Sequence, residues 1–362
     1  MTKKKKKILF GAVDIGWRIE HYSKFINENL SDTLEPYSVV YYKLPANQYK
    51  TSYNFEYNLN SKNKISNWFI RFIFFLKALF KFDIFYFLSG ETLLTRKLRS
   101  FELKIYKILN KQVYFHFVGS DIRSPKYIDW KTQNIHKYLE GEDTKKTEFW
   151  QDKLISDAKK YAKKIFVSTP DLLSIIKDSL YIPVFIDLKK FNQELNNVKR
   201  IEKNKNVVYI LHAPSNPRLK GTLYIENIMN KIKNDYNEDV ELLLPKKRGN
   251  NTYSTTRYEL FQLYQQADIV IDQMIIGWYG LQAIEALSSK NIVISYIDKD
   301  LERYLFPKCP IKNANVNTLE DVLKESIEEI RNKAIDYEKQ IEWVKQYHTI
   351  ENNKFLYLQN EI

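Results

Sequence analysis

Ala267-Asp-Ile-Val-Ile-Asp-Gln-Met-Ile-Ile-Gly-Trp-Tyr-Gly-Leu-Gln-Ala-Ile-Glu285 compresses a strand, a glycine loop and the opening of a helix into one short run. The apolar stretch Asp268–Ile271 reads as a buried strand that ends at Asp272. Gly277 and Gly280 then allow a ligand to approach the backbone closely, and the helix expected over Tyr279–Ser289 turns its positive N-terminus toward the same place. Glu285 lies on that helix among Ala283, Ile284, Ala286 and Leu287. A carboxylate set in apolar surroundings is costly unless something binds it.

A second run of the same design lies upstream, at His212-Ala-Pro-Ser-Asn-Pro-Arg-Leu-Lys-Gly-Thr222. It follows a strand over Asn206–Leu211 and leads into a helix over Gly221–Lys233. The Ser215 hydroxyl, Arg218 and Lys220 stand beside that helix start, a combination suited to a diphosphate. Further strands are expected at Val240–Leu244 and Ile292–Tyr296, and further helices at Arg257–Gln266, Leu319–Lys333 and Tyr337–Leu358.

Residues 1–188 repeat the alternation. Strands are expected at Lys7–Phe10, Tyr37–Lys43, Asp83–Leu88, Gln112–Val118 and Lys164–Ser168. Helices are expected at Arg18–Leu30, Lys64–Phe80, Thr92–Asn110, Trp150–Ala162 and Asp171–Ser179, with a long loop over 47–63. Such spacing implies right-handed βαβ units on parallel sheets. The polar run Lys189–Lys205 reads as a linker. The expected organisation is therefore a basic N-terminal domain (1–188), a linker (189–205), a second α/β domain (206–335) and a closing helix (336–362). Ligands would bind in a cleft facing the carboxyl ends of the strands.

At this point the chain resembles the GT-B glycosyltransferases, in particular glycosyltransferase family 4. Gly277 to Ile294 matches in part the family signature E-x-F-G-L-x-x-x-E-A-x-x-x-G-x-P-V-I, and Lys220-Gly221 matches its lysine–glycine pair. The resemblance implies an α/β GT-B fold of two Rossmann-like domains and a nucleotide-sugar donor on the second. It implies that Lys220 neutralises the donor diphosphate, the Gly280 and Leu281 N–H groups cap it, and Glu285 holds the ribose hydroxyls. Tyr279 falls within the matched segment and is expected near the donor. The family's first glutamate falls on Gly277 here, so Asp272 or Gln273 is the expected substitute toward the sugar. The family's arginine falls on Ser215, leaving Arg218 to replace it.

In the first half, Phe115-His-Phe-Val-Gly-Ser-Asp-Ile-Arg123 resembles the segment F-H-G-S-D-I-R of related sugar transferases and would deliver Asp121 and Arg123 to the ligand. His116 reads as a core imidazole. The Gly11–Gly16 loop would contact the donor phosphates or the acceptor. Its spacing does not fit the dinucleotide fingerprint, which disfavours NAD.

Charge divides unevenly. Residues 1–188 carry 32 Lys and Arg against 20 Asp and Glu, and residues 189–362 carry 25 against 24. An anionic partner is expected for the first half only. Trp68–Phe80 is strongly aromatic but too short and charged to span a bilayer. With Lys64, Asn67 and Arg71 read as its polar stripe, it suits an interfacial helix. One cysteine, Cys309, indicates a reducing compartment. Lys3–Lys7 imitate a signal peptide, but Asp14 interrupts the apolar run that follows. The five histidines show no ligand pairing, so neither a metal nor another cofactor is expected.

The sequence thus predicts a retaining, metal-independent glycosyltransferase with a glycan or lipid-linked acceptor. It would be cytoplasmic, peripheral at the inner membrane face and engaged in surface polysaccharide synthesis. An inactive GT-B relative serving as an assembly partner and a nucleotide-sugar epimerase of the same fold stay open. Nucleic acid binding has no supporting motif.

Overall fold

A computed structural model describes residues 5–42, 52–59, 63–124, 144–236, 239–246 and 255–352. The described residues divide into two compact units, 5–183 and 184–352.

The first unit is built on seven parallel strands: β1 (Lys6–Gly11), β2 (Leu34–Val40), β3 (Phe55–Glu56), β4 (Ile84–Leu88), β5 (Gln112–Phe117), β6 (Lys164–Val167) and β7 (Leu180–Tyr181). Their order is β3-β2-β1-β4-β5-β6-β7. Leu9 stands opposite Tyr37 of β2 and Phe85 of β4. The central strand β4, Ile-Phe-Tyr-Phe-Leu, is buried throughout, as a parallel strand covered on both faces must be. Phe85, Phe87, Phe115 and Phe117 meet Phe74, Phe75 and Ala78 from the helix Lys64–Lys81 in one core. The chain leaves β1 toward β2 and returns on its other side at β4, so a topological switch point lies between β1 and β4.

The second unit has five parallel strands: β8 (Val208–Leu211), β9 (Val240–Leu243), β10 (Ile269–Ile271), β11 (Ile292–Ser295) and β12 (Lys312–Asn313), in the order β12-β11-β10-β8-β9. Helices Thr222–Tyr236, Leu281–Ser288 and Leu319–Arg331 cover it through Ile225 and Met229, Ala283 and Ile284, and Leu323 and Ile327. Here the switch point lies between β8 and β10.

Several expectations change, among them the long loop over 47–63, which contains β3, and the helix over Asp171–Ser179, which is a short 3-10 turn at Pro170–Ser174. The run expected as a linker contains the helix Leu188–Asn196, capped by Asp187 and anchored by buried Phe191. The helix expected from Thr92 begins only at Arg99, because the Leu93 and Leu94 N–H groups donate to Glu102 instead of to helix carbonyls. The expected closing helix runs from Tyr337 to Tyr347, and 353–362 lie outside the described residues. Among the described residues no helix is long and apolar enough to cross a membrane.

Candidate functional site

The two glycine-bearing runs leave the carboxyl ends of β8 and β10, the adjacent strands that flank the second switch point. Asp272, fully buried one residue beyond β10, binds them together. One carboxylate oxygen accepts from Lys220 Nζ at 2.5 Å, and the other accepts from the Gly280 N–H at 2.7 Å. Lys220 ends a short helical turn, Pro217–Lys220, that Asn216 caps through the Leu219 N–H. Its side chain keeps 15% exposure. The Met274 N–H donates to the Lys220 carbonyl, closing the two loops on each other.

His212 sets the base of the first loop. Its Nδ1 faces the Ile271 carbonyl at 2.9 Å, and its Nε2 faces the Thr222 hydroxyl at 2.8 Å. A carbonyl only accepts, so Nδ1 carries the proton and Nε2 accepts from Thr222. Burial pushes the imidazole down to about 4 and keeps it neutral.

The second loop opens the helix Leu281–Ser288. The first N–H groups of any helix lack partners within it, so Leu281 and Gln282 present donors beside the Lys220 ammonium. The Gly280 N–H, expected to cap a diphosphate, is instead occupied by Asp272. Gly277 is a turn residue with φ +81°, and a Cβ there would lie 2.9 Å from that of Asp298. A glutamate could not occupy that position without strain, which accounts for the departure from the family signature.

Asp272 and Gln273, the expected substitutes for that glutamate, are both buried in this structure. Gln273 holds the loop: its Nε2 donates to the Tyr296 and Trp278 carbonyls, and its Oε1 accepts from the Ile275 and Ile276 N–H groups. Tyr279 is likewise buried, stacked on Trp278, with its hydroxyl 3.3 Å from His348 Nε2. Glu285 is buried too. Its carboxylate meets Arg257 at 2.6 Å and accepts from the Tyr264 hydroxyl at 2.9 Å. Ser215 and Arg218 are exposed on the loop.

In the first unit, Gly11 and Gly16 have structural reasons. A Cβ on Gly11 would lie 2.5 Å from Val39 Cγ1, and Gly16 has φ +66°. Between them Asp14 accepts from the Ile19 N–H at the start of the helix Arg18–Asn29, and from the Tyr53 hydroxyl. Burial raises its carboxyl to about 6. In the sequence Asp14 stands out only as a carboxylate within a glycine loop after the first strand.

Asp121 folds back on its own turn, accepting from the Val118, Gly119 and Ile122 N–H groups. Burial still raises its carboxyl. Arg123 grips Asp171 through two nitrogens and also donates to Thr169, so it fastens β5 to the segment after β6. His116 is a core residue, with Tyr22 and Tyr86 hydroxyls at Nδ1 and Ser168 at Nε2. Among the described residues no group of three His, Cys, Asp or Glu side chains could hold a metal ion.

By sequence, the chain matches no family model and no curated protein. Its structure is similar to HepE of Anabaena in complex with UDP and glucose, at 11% identity and a TM-score of 0.61, covering 99% of this chain and 100% of that one. It is similar to sucrose-phosphate synthase of Thermosynechococcus elongatus, at 13% identity and a TM-score of 0.62, covering 98% and 99%. It is also similar to UDP-GlcNAc 2-epimerase of Neisseria meningitidis bound to UDP-GlcNAc, at 12% identity and a TM-score of 0.51, covering 95% and 94%. The chain has the GT-B fold. A GT-B fold supplies two parallel sheets with loops at their switch points, and this chain's charged and glycine residues gather on those loops. Function must be argued from these sites, since one fold hosts several chemistries.

Proposed function

We propose that the chain is a retaining, metal-independent glycosyltransferase that uses a nucleotide-sugar donor. The observation that carries this is the Lys220–Asp272 pair beside the start of the helix Leu281–Ser288, at the second unit's switch point. An ammonium offers three donors, and Asp272 is the protein partner found for Lys220 among the described residues. A departing nucleoside diphosphate would meet that cation and the Leu281 and Gln282 N–H groups together. Donors fixed in advance stabilise developing negative charge without reorganising, which lowers the barrier to leaving-group departure. Buried Asp272 fixes the lysine, and Arg218 on the exposed turn adds a second charge. Glu285, held by Arg257 and Tyr264, would reach the ribose through the lone pairs that these partners leave.

One neighbour of known structure, HepE of Anabaena, supports a donor of this class, since its complexes hold UDP, UDP-glucose or UDP with glucose. The acceptor proposed for the basic first unit is a glycan, free or lipid-linked, in surface polysaccharide assembly, with Asp121 near it. The protein would work in the cytoplasm, peripheral at the inner membrane face. An epimerase reading has one support, the likeness to an epimerase bound to UDP-GlcNAc.

The test is turnover on a panel of UDP-, GDP- and CMP-sugars with glycan acceptors, in EDTA. Release of nucleotide with a glycosylated product of retained anomeric configuration is expected. An epimerised nucleotide-sugar without transfer would establish the rival, and activity that requires added Mg²⁺ or Mn²⁺ would refute metal independence.

A further inference from the structure

Gly277 leaves a space that another residue fills. A Cβ there would lie 2.9 Å from the Asp298 Cβ and 3.5 Å from Tyr296 Cε1. Cβ atoms do not approach one another that closely, so a side chain at 277 and the Asp298 side chain exclude each other. The glutamate that the family signature places at 277 would start where the Asp298 side chain now lies. This chain therefore keeps a carboxylate near that point, but takes it from the segment after β11 and not from the glycine loop. Strands β10 and β11 are parallel neighbours, so they end at the same edge of the sheet. Asp298, three residues beyond the end of β11, emerges beside the loop that follows β10.

The segment that carries Asp298 is pinned at each residue. The Tyr296 N–H donates to the Gln273 carbonyl at 2.8 Å, and the Asp298 N–H donates to the Gly277 carbonyl at 3.0 Å. Between them the Ile297 N–H donates to Asn313 Oδ1 at 2.9 Å. The Asp298 side chain is half-buried. One of its oxygens accepts from the Tyr296 hydroxyl at 3.0 Å, and the other accepts from the Asp300 N–H at 2.9 Å. A carboxylate has about four acceptor sites, so these two bonds leave it able to accept from a ligand. A group held this firmly before a ligand arrives is suited to recognition.

Its place along the loop says which part of a ligand it meets. Gly277 and Gly280 are three residues apart, hence at most about 11 Å. The Gly280 end lies against Lys220 and Asp272 and leads into the Leu281 and Gln282 N–H groups. A diphosphate resting there would carry its sugar within reach of the loop. Sugar hydroxyls donate, and so call for an acceptor. Both oxygens of buried Asp272 are already taken, by Lys220 and by the Gly280 N–H. Asp298, at the other end of the loop, has acceptor sites left.

We propose that Asp298 receives hydroxyls of the donor sugar in place of the glutamate absent at Gly277, and so helps to set which sugar is accepted. Tyr296 is its positioning residue. The assignment rests on the donor site proposed above.

Titration calorimetry on the full chain tests it, with UDP-glucose, UDP-GlcNAc, GDP-mannose and CMP-sialic acid each set beside its free nucleotide. For the nucleotide-sugar that binds most tightly, Asp298→Asn should weaken binding by about tenfold or more and leave the free nucleotide unchanged. Tyr296→Phe should give a smaller loss of the same kind. Among analogues of that sugar lacking one hydroxyl, one should lose about tenfold on the wild type and nothing further on Asp298→Asn. A residue with a structural role alone would not show that coupling. The same cycle with Tyr296→Phe removes one hydroxyl from the protein and reads the contact without altering Asp298 itself. Equal weakening of nucleotide and nucleotide-sugar would assign the carboxylate to loop structure and overturn the proposal. Unaltered nucleotide-sugar affinity in the folded variants would overturn it too. In either case nucleotide binding by the wild type would leave the donor site standing, whereas a wild type that binds no nucleotide would overturn both.

Discussion

Lys220 is where one residue decides most. Its ammonium is held by a buried carboxylate next to helix-start N–H groups, so its geometry is set before any ligand arrives. Removing it should cost a charge-assisted contact of about 1.5–3 kcal/mol, roughly 10- to 150-fold in kcat/KM. Because the contact strengthens as charge builds on the leaving group, Lys220→Ala should lower kcat more than donor affinity. Glu285→Gln should chiefly weaken donor binding. Folded Lys220→Ala with wild-type kinetics would end the case for this donor site. Asp14 offers a pH signature of its own. Its native carboxyl titrates near 6 against an ordinary 3.8, with Tyr53, Arg18 and Glu20 around it. Across that interval the folded chain retains a proton that the unfolded chain has released, so stability falls as pH rises from about 4 to 6 and is level above. The difference amounts to about 2–3 kcal/mol. Urea titrations at pH 4 and pH 7 should show that Asp14→Asn removes this drop. An equal drop in the variant would assign it to other groups.

Elements were legible wherever apolar runs were long. Strands β1, β4, β5, β6, β8, β10 and β11 follow continuous buried stretches, and parallel sheets leave little else to read. The two-residue strands β3, β7 and β12 carry no such pattern, being edge or near-edge strands set by their neighbours. The helix Lys64–Lys81 was legible as a helix but not in its orientation. Arg71, read as part of a narrow polar stripe with Lys64 and Asn67, points inward, where it donates to the Leu94 carbonyl, pairs with Glu91 and lies 4.3 Å from the Tyr41 ring. The outer face instead carries Ile65, Trp68, Phe69, Ile73, Leu76 and Phe80, with Phe80 89% exposed. Periodicity finds the faces of a helix, but a buried ion pair can reverse which of them is covered. The candidate site shows the same limit. Its loops were readable from glycines at strand ends, whereas Asp272 as the clamp on Lys220 depends on a contact between distant parts of the chain.

Across the whole molecule the excess positive charge and the exposed aromatic face belong to the same half of the sequence. Residues 1–188 hold a net charge of +12, from 32 cations and 20 anions, and the helix Lys64–Lys81 lies within them. Contiguous apolar side chains in water mark a contact surface, and an excess of Lys and Arg in the same half of the chain favours an anionic one. A bilayer interface accepts both: the aromatic rings enter the headgroup layer while the cations stay at its surface. Each cation near such a surface contributes about 1 kcal/mol, lost progressively as salt shortens the Debye length. The protein should therefore sediment with vesicles containing phosphatidylserine and not with pure phosphatidylcholine. A Phe69→Ser, Phe80→Ser double variant should lose most of this binding without a lower Tm, because both rings are already in water in the unbound protein. Raised salt should weaken the wild type as well. The two treatments separate the contributions, since the variant removes apolar insertion and leaves the charge, whereas salt does the reverse. Equal sedimentation with both vesicle types, or full retention by the double variant, would show that the aromatic face serves something other than a membrane.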